Sequence, residues 1–252
     1  MRDNITVSAS VVTYNDKDQI AATVKSVAEN TQGYPLKFYV IDNASTDGTA
    51  DFVESLGVAT VLRQTKNLGF GAAHNVVLGQ EMGKYHFIIN PDIAFNTDVI
   101  SDMVDFFENN PDVVMAMPRI LNPDGTEQKL PKERPTFNRL YIGRLSNKIR
   151  SEYAWCNKDI TKPTEINFCT GCFFCIRTDI FKKLCGFDKR YFMYLEDADL
   201  TLMAKRKGKV MMLPQVSVTH AWGRESSKSI KYLFIHIISS FKFLFKWRGK
   251  FL

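Results

Sequence analysis

The sequence has no run of 18 uncharged apolar residues, so no spanning helix is expected. Its opening, MRDNITVSASVVTYN, lacks a basic stretch followed by a long apolar core. It reads as a first strand and not as a signal peptide. No internal repeat and no low-complexity tract occurs. Cysteines are few and odd in number: Cys156, Cys169, Cys172, Cys175 and Cys185. That count argues against a disulfide framework and for a reducing compartment. Acids nearly vanish from residues 205–252, where Glu225 stands against 11 Lys and Arg, although the whole chain is only +6. The basic character therefore belongs to the tail. It argues against a nucleic-acid-binding body and for an anionic surface met by one end. The remaining composition, 45% hydrophobic and 24% charged over 252 residues, suits one large α/β domain or two small ones.

Apolar runs alternate with helical patterns from the start. ITVSASVVTYN, LKFYVIDN, VATVLRQ, YHFIIN and DVVMAMPRI read as five strands. Between them, Ile20, Val24 and Val27 fall at helical spacing, as do Val99, Ile100, Met103, Val104 and Phe107. STDGTADFVESLG reads as a helix capped by Ser45 or Thr46 and closed by Gly57. GAAHNVVLGQEM reads as a short helix. The alternation predicts a mostly parallel sheet with helices on both faces. After residue 121 the periodicity weakens, and Asn122 to Ile166 reads as a connection or flap. EINFCTGCFFCIRTDIF then reads as a buried strand entering a helix, YFMYL as a strand end before a helix, and KVMMLPQVSVTHAW as a strand pair.

Parallel α/β sheets bind ligands at the carboxyl ends of their strands, and polar residues collect there. Strand one ends in Thr13, Tyr14 and Asn15, strand two in Asp42 and Asn43, and strand four in Asn90, Pro91 and Asp92. A capped turn explains Ser45 to Gly48 but not Asp42 at the end of an apolar strand, where a carboxylate can accept from a nucleobase N–H. A carboxylate at the tip of a central strand costs desolvation unless a cation meets it. Asp92 thus reads either as a helix cap or as a ligand to a divalent ion carrying a diphosphate. In NLGFGAAHN the glycines could let backbone approach a phosphate or sugar, although the spacing is not a dinucleotide fingerprint. Glu196, Asp197 and Asp199 crowd into four residues. The helix dipole favours one or two acids there, while three repel one another and suit a general base. His220 ends a late strand and is either structural or a metal ligand with Asp92.

Two further segments have competing readings. The spacing of Cys169, Cys172 and Cys175 resembles part of an iron–sulfur pattern, but these residues alternate with Phe and Ile and fit a buried strand. The tail, Tyr232 to Trp247 with Lys231, Lys242, Lys246, Arg248 and Lys250 around it, fits a basic amphipathic helix lying on an anionic membrane. Packing on the domain or on a second subunit is the alternative.

Taken in order, SVVTYN, VIDNASTDGT, NLGFGAAHN, INPD, GCFFCIRTDIF, GFDKRYFMYLEDADL and VTHAWGRES resemble the family-2 glycosyltransferases of GT-A fold. The likeness is to the rhamnosyltransferase-like branch that builds bacterial surface polysaccharides, and it runs over nearly the whole chain. It implies a GT-A domain over residues 1–225, with a nucleotide-sugar half (1–120) and an acceptor half (121–225), followed by an amphipathic helix over 226–252. It further implies that Thr13, Tyr14, Asp42 and Asn43 hold the base and ribose of a dTDP- or UDP-sugar, and that Asn67 and Gly69 line its pocket. Asn90 stands where the family has the first acid of its DxD motif, so it would touch ribose or sugar. Asp92 and His220 would bind Mg²⁺ or Mn²⁺, Asp197 would be the base, and Glu196 would orient the acceptor. The implied reaction is inverting transfer to a lipid-linked saccharide at the cytoplasmic membrane face, with no nucleic-acid partner and with a homodimer possible.

Two other classes fit the same residues. A nucleotidyltransferase also joins an α/β sheet to metal-bound carboxylates, but it wants a Gly-rich basic loop where this chain reads TYNDKDQ. A binder without activity could retain the fold.

Overall fold

The computed structural model describes residues 6–142, 146–154, 159–221 and 230–249. Cys156, Lys250 and the boundary expected near residue 225 lie outside the described residues. Strand β1 (Val7–Thr13) is buried at every position, as befits a strand covered on both faces. It pairs in parallel with β2 (Leu36–Asp42) and β4 (Tyr85–Ile89), and β3 (Thr60–Arg63) continues the parallel run beside β2. Further along lie β5 (Ile93–Ala94), β6 (Val113–Leu121), β7 (Thr164–Glu165), β8 (Phe173–Arg177) and β9 (Lys209–His220). The sheet order is β3-β2-β1-β4-β8-β6-β9-β5, with β7 pairing on β9. Most paired residues lie in parallel ladders. Strand β8 enters antiparallel between β4 and β6, so a segment distant in sequence sits at the centre of the sheet.

The helices are α1 (Ile20–Glu29), α2 (Thr49–Leu56), α3 (Phe70–His74), α4 (Val99–Asn109), α5 (Phe137–Leu140), α6 (Asn147–Tyr153), α7 (Thr178–Lys183), α8 (Glu196–Ala204) and α9 (Ile230–Lys246). On α4, Val99, Ile100, Met103, Val104 and Phe107 are buried, and Asp98 caps the helix by accepting from Ser101 N–H. The mixed α/β architecture with a mostly parallel central sheet agrees with the alternation in the sequence.

Several local expectations are corrected. Neither Ser45 nor Thr46 caps α2. Gly48, at φ 84, holds that position, and Asp47 instead accepts from Thr49 N–H and Oγ1. GAAHNVVLGQEM is not one helix: α3 is followed by a 3₁₀ turn over Asn75–Gly79. KVMMLPQVSVTH is one strand, not a pair. Its register against β6 shifts between Pro118 and Arg119, which absorbs the Pro214 region. The residues before α8 form no strand, because Tyr194 and Leu195 both take left-handed backbone (φ 71 and 67). Strain of this kind persists only where packing imposes it.

Packing does so through α9. Buried Asp199 on α8 accepts from Lys246 Nζ at 2.6 Å and from Trp247 Nε1 at 2.7 Å, and Lys246 also reaches Asp188 at 2.8 Å. Ser239 Oγ donates to Met193 O, and Lys242 Nζ donates to Arg190 O. A satellite core of Leu140, Phe168, Tyr191, Leu195, Ala198, Leu202, Phe243 and Trp247 joins α5, α8 and α9. The face of α9 turned away is apolar and exposed: Ile230, Phe234, Ile238, Phe241 and Phe245. No helix among the described residues is long and apolar enough to cross a membrane.

Candidate active site

The in-register ends of the parallel strands bring the polar residues of the sequence together. Thr13 pairs level with Asp42, and β4 runs on into the turn from Asn90 to Ile93. That turn is pinned by Thr23 Oγ1 donating to Pro91 O and by Asn90 N–H donating to Cys172 O. Beyond it, Ile93 on β5 pairs with His220 on β9, which sets Asp92 beside His220. Asp92 Oδ1 lies 3.2 Å from His220 Nε2.

The hydrogen bonds around this pair show what it suits. Gln128 Nε2 donates to His220 O and to Asn122 Oδ1, both at 2.9 Å. Its Oε1 is thereby turned to His220 Nδ1, 3.1 Å away. Nδ1 then donates to Gln128, which turns Nε2 toward the Asp92 carboxylate. Asp92 Oδ1 is buried and makes no hydrogen bond. A ring nitrogen and a carboxylate oxygen facing each other in this way are groups that can share a divalent cation. Mg²⁺ or Mn²⁺ retains water and takes phosphate oxygens beside one or two protein ligands, so the pair is a sufficient protein share. No group of three or more His, Cys, Asp or Glu poised for a metal occurs among the described residues. Cys169, Cys172 and Cys175 are free, buried thiols whose pKa values burial pushes up.

On the other side of β1, Asp42 is buried and accepts weakly from Ser45 N–H, at 3.3 Å to each oxygen. Asn43 and Asn67 brace the loop before α3. Asn43 Oδ1 accepts from Leu68 N–H, Asn43 Nδ2 donates to Asn67 Oδ1, and Asn67 Oδ1 accepts from Gly69 N–H. Gly69 sits at φ 81, where a Cβ would come within 2.1 Å of Phe192 O, so only glycine fits. Thr13 Oγ1 donates to Asp16, Tyr14 N–H does the same, and the Tyr14 ring is exposed. Asp16 was not singled out from sequence. Burial raises its pKa, and the charges of Asp92 and Asp47 add to that rise, so it belongs to the same rim.

The acids after the left-handed pair divide their work. Asp197 Oδ2 accepts from Gly171 N–H at 2.9 Å and Oδ1 from Ala198 N–H at 2.8 Å. Glu196 Oε2 is buried without a hydrogen bond. Burial and then the Asp197 charge push the Glu196 pKa well up; burial also raises that of Asp197, opposed by Lys132 and the two backbone donors. A proton held by the pair therefore goes to Glu196 and leaves Asp197 ionised. Both acids line a cavity of about 430 Å³ that Lys132, Arg139, Tyr153 and His236 also wall. Asp199 does not join them; it points to α9, so the apparent crowding of three acids is a pair and an anchor. Lys132, Arg139, Tyr153 and Gln128 all come from the weakly periodic segment, whose polar composition gave no local signal.

The loop before β8 ties the two clusters together. Gly171 N–H donates to Asp197 and Cys172 O accepts from Asn90 N–H, so adjacent residues of one loop anchor the turn that carries Asp92 and the acid pair of α8.

The sequence model described as Glycosyl transferase family 2 matches residues 8–185. The N-acetylglucosaminyl-diphospho-decaprenol L-rhamnosyltransferase of Mycobacterium tuberculosis is 26% identical over 255 residues, 92% of this chain and 82% of its own. Rhamnosyltransferase WbbL of Escherichia coli K12 is 24% identical over 197 residues, 71% of each chain. Among solved structures, GalNAc-T7 with UDP, GalNAc and Mn²⁺ superposes at TM-score 0.67 with 17% identity, over 86% of this chain and 45% of that one. The mannosyltransferase PcManGT of Pyrobaculum calidifontis with GDP-Man and Mn²⁺ does so at 0.65 with 19% identity, over 95% and 64%. This chain thus spans less than two thirds of either solved chain, and the likeness establishes the GT-A fold.

Proposed function

The chain belongs to glycosyltransferase family 2, and from that premise we propose that it is an inverting, metal-dependent enzyme moving a hexose, rhamnose from dTDP-rhamnose being the favoured case, onto a lipid-linked saccharide. The observation that carries this reading is the Asp92–His220 pair, tied through the loop at Gly171 and Cys172 to the Glu196–Asp197 pair. The two relatives described above are rhamnosyltransferases by name, which supports the donor; one of those names, with its N-acetylglucosaminyl-diphospho-decaprenol, supports the acceptor.

Each residue then has a task set by its surroundings. Asp42, weakly engaged by Ser45, retains capacity to accept from a base N–H, while Asn43, Asn67 and Gly69 shape the loop behind the donor. Thr13, Tyr14 and Asn90 complete its rim. Asp92 and His220 would hold the divalent cation, which when bound offsets the charge of the departing diphosphate. Asp197, ionised and fixed by two backbone donors, takes the proton of the attacking hydroxyl. Glu196, protonated, donates a hydrogen bond that orients the acceptor. One displacement at the anomeric carbon inverts it.

A panel of nucleotide sugars with Mn²⁺ and a saccharide-diphosphate-lipid tests this. Sugar transfer with release of nucleoside diphosphate is expected, and Asp92→Ala should abolish Mn²⁺-dependent binding of nucleoside diphosphate. Transfer of the nucleotide with release of diphosphate would make the protein a nucleotidyltransferase, and donor binding without turnover would make it a binder.

The apolar stripe of α9, with Lys231, Lys242 and Arg248 exposed along it, supports an anionic lipid surface at the cytoplasmic membrane face as partner. Co-sedimentation with anionic vesicles, lost in Phe241→Glu/Phe245→Glu, is the expected result. A stable dimer that the same substitutions split, without vesicle binding, would assign the stripe to a second copy.

A further inference from the structure

The cavity beside the catalytic acids has a cationic wall that proton abstraction does not use. Lys132 Nζ lies 5.1 Å over the Phe168 ring and forms no hydrogen bond or ion pair among the described residues. Arg139 spends only Nη1, on the carbonyl of Arg134. Neither has an acidic partner within ion-pair distance among the described residues. The nearest carboxylate to influence Lys132, Asp197, acts through space. Arg139 also repels Arg134 enough to lower the Arg134 pKa beyond the effect of burial. Cations on a cavity wall that make no ion pair with the carboxylates sharing that cavity are placed for an anionic ligand.

The same two helices line the cavity and carry exposed apolar rings. Helix α5 contributes Arg139 and Leu140 to the inside, while Phe137 is exposed. Helix α9 contributes His236 to the inside, while Phe234 and Phe241 are exposed. These rings are linked across the two helices, since Phe137 contacts Tyr141 at 5.0 Å between centroids and Tyr141 contacts Phe241 at 6.2 Å. Inside, the aromatic rings of Tyr153, Phe168 and Tyr194 line the space leading to the acids, and such rings suit the apolar face of a sugar. Carboxylates, aromatic walls and cations thus share one cavity, and exposed apolar rings lie on the helices that line it. The donor's diphosphate has its own place at Asp92 and His220, so these cations are free for a second one.

We propose that Lys132 and Arg139 form the binding site for the diphosphate of the acceptor, with its lipid chain leaving across Phe137 and Phe241. The assignment deepens, and rests on, the glycosyl-transfer reading of this cavity. Arg139 can grip phosphate oxygens through two donors at once, and Lys132 supplies a point charge. The acceptor saccharide would then lie between these phosphates and Asp197. The site would select saccharides already activated on a lipid diphosphate over neutral glycosides, so a reaction that transfers a sugar 1-phosphate onto a lipid phosphate must act earlier.

Titration calorimetry of the full chain in EDTA, which keeps a metal-dependent donor site out of play, reads the site without turnover. A short isoprenyl diphosphate should bind at least about tenfold tighter than its isoprenyl alcohol and than inorganic diphosphate. Lys132→Met/Arg139→Gln should lower the isoprenyl diphosphate affinity by about tenfold or more while leaving the alcohol unchanged, and Lys132→Arg should retain it. Nucleoside diphosphate with Mn²⁺ should bind the double variant as it binds the parent, which also shows that the variant folds. Equal affinity for diphosphate and alcohol, or an unchanged double variant, would overturn the site. Loss of Mn²⁺–nucleoside diphosphate binding would hand the cations to the donor instead. Equal binding of inorganic diphosphate would overturn the lipid part. Absence of sugar transfer with all these affinities intact would sink the enzymatic reading and leave the anion site standing.

Discussion

Asp197→Asn is expected to lower kcat by about 10²–10⁴-fold, the usual share of a positioned general base, while the Kd of the nucleotide sugar stays as it was. The amide cannot take a proton at neutral pH. It can still accept from Gly171 or Ala198, though not from both, so one of two short contacts is lost. A cost of about 1–3 kcal/mol in stability accompanies that loss, and thermal melts separate it from the fall in rate. The pH profile gives a second reading. Burial raises the Asp197 pKa, so the acid limb of kcat/KM in the parent should fall above the range of an ordinary aspartate. Because Lys132 counters that rise, Lys132→Met should move the limb further up. A variant that keeps parental kcat, or an acid limb that ignores Lys132, would remove Asp197 from the role. Glu196→Gln is the contrast: a protonated carboxyl and an amide both donate, so this change should cost far less than Asp197→Asn.

These roles were legible in the sequence to different depths. Alternating runs were enough for the sheet, since β1 and β4 are buried on both faces and leave no other reading for their apolar stretches. Asp42 and Asp92 stood out because a carboxylate ending an apolar strand has no cheap structural cause. The partnership of Asp92 with His220 could not be derived from spacing, since the residues are far apart in the chain and meet only through the β5–β9 register. Lys132, Arg139 and Gln128 were invisible for another reason. They lie in a segment without periodicity, and a lysine or glutamine in such a segment looks like any solvated residue until a neighbour desolvates it. Asp199 was misread because helix position predicts a dipole interaction equally for every first-turn acid. Which of them points to α9 is decided by Lys246 and Trp247, nearly 50 residues later.

One buried network lies apart from the chemistry, and acid should expose it. Ser8 Oγ donates to Tyr85 O and so accepts from His86 Nδ1, 2.9 Å away. His86 Nε2 must then accept from Ser10 Oγ at 2.9 Å, and Ser10 Oγ in turn accepts from His74 Nδ1 at 2.8 Å. This direction leaves His74 Nε2 as an acceptor with no donor, and that atom is indeed buried without a partner, beside Phe70 and Phe187. Every link requires neutral rings. Burial holds His86 at about 3 and His74 well below 6.5. A histidine with a depressed folded pKa contributes stability in full above its unfolded value. That contribution drains as pH falls from about 6.5 toward the folded value, at about 1.4 kcal/mol per pH unit for each ring. Between pH 6.5 and 4.5 the His86 ring should remove about 2 kcal/mol, and His74, whose pKa is lowered too, acts in the same direction. The raised carboxylates Glu196, Asp197, Asp199 and Asp16 bind protons in the folded state and act in the opposite direction, so the total slope mixes both. The difference between parent and His86→Phe isolates one ring: urea titrations at pH 7.5, 6 and 5 should show the variant losing stability about 1.4 kcal/mol per unit more slowly below pH 6. Parallel slopes for the two proteins would mean that His86 is already charged in the fold, or that acid reaches it without unfolding, and the directed chain from Tyr85 to His74 would not hold.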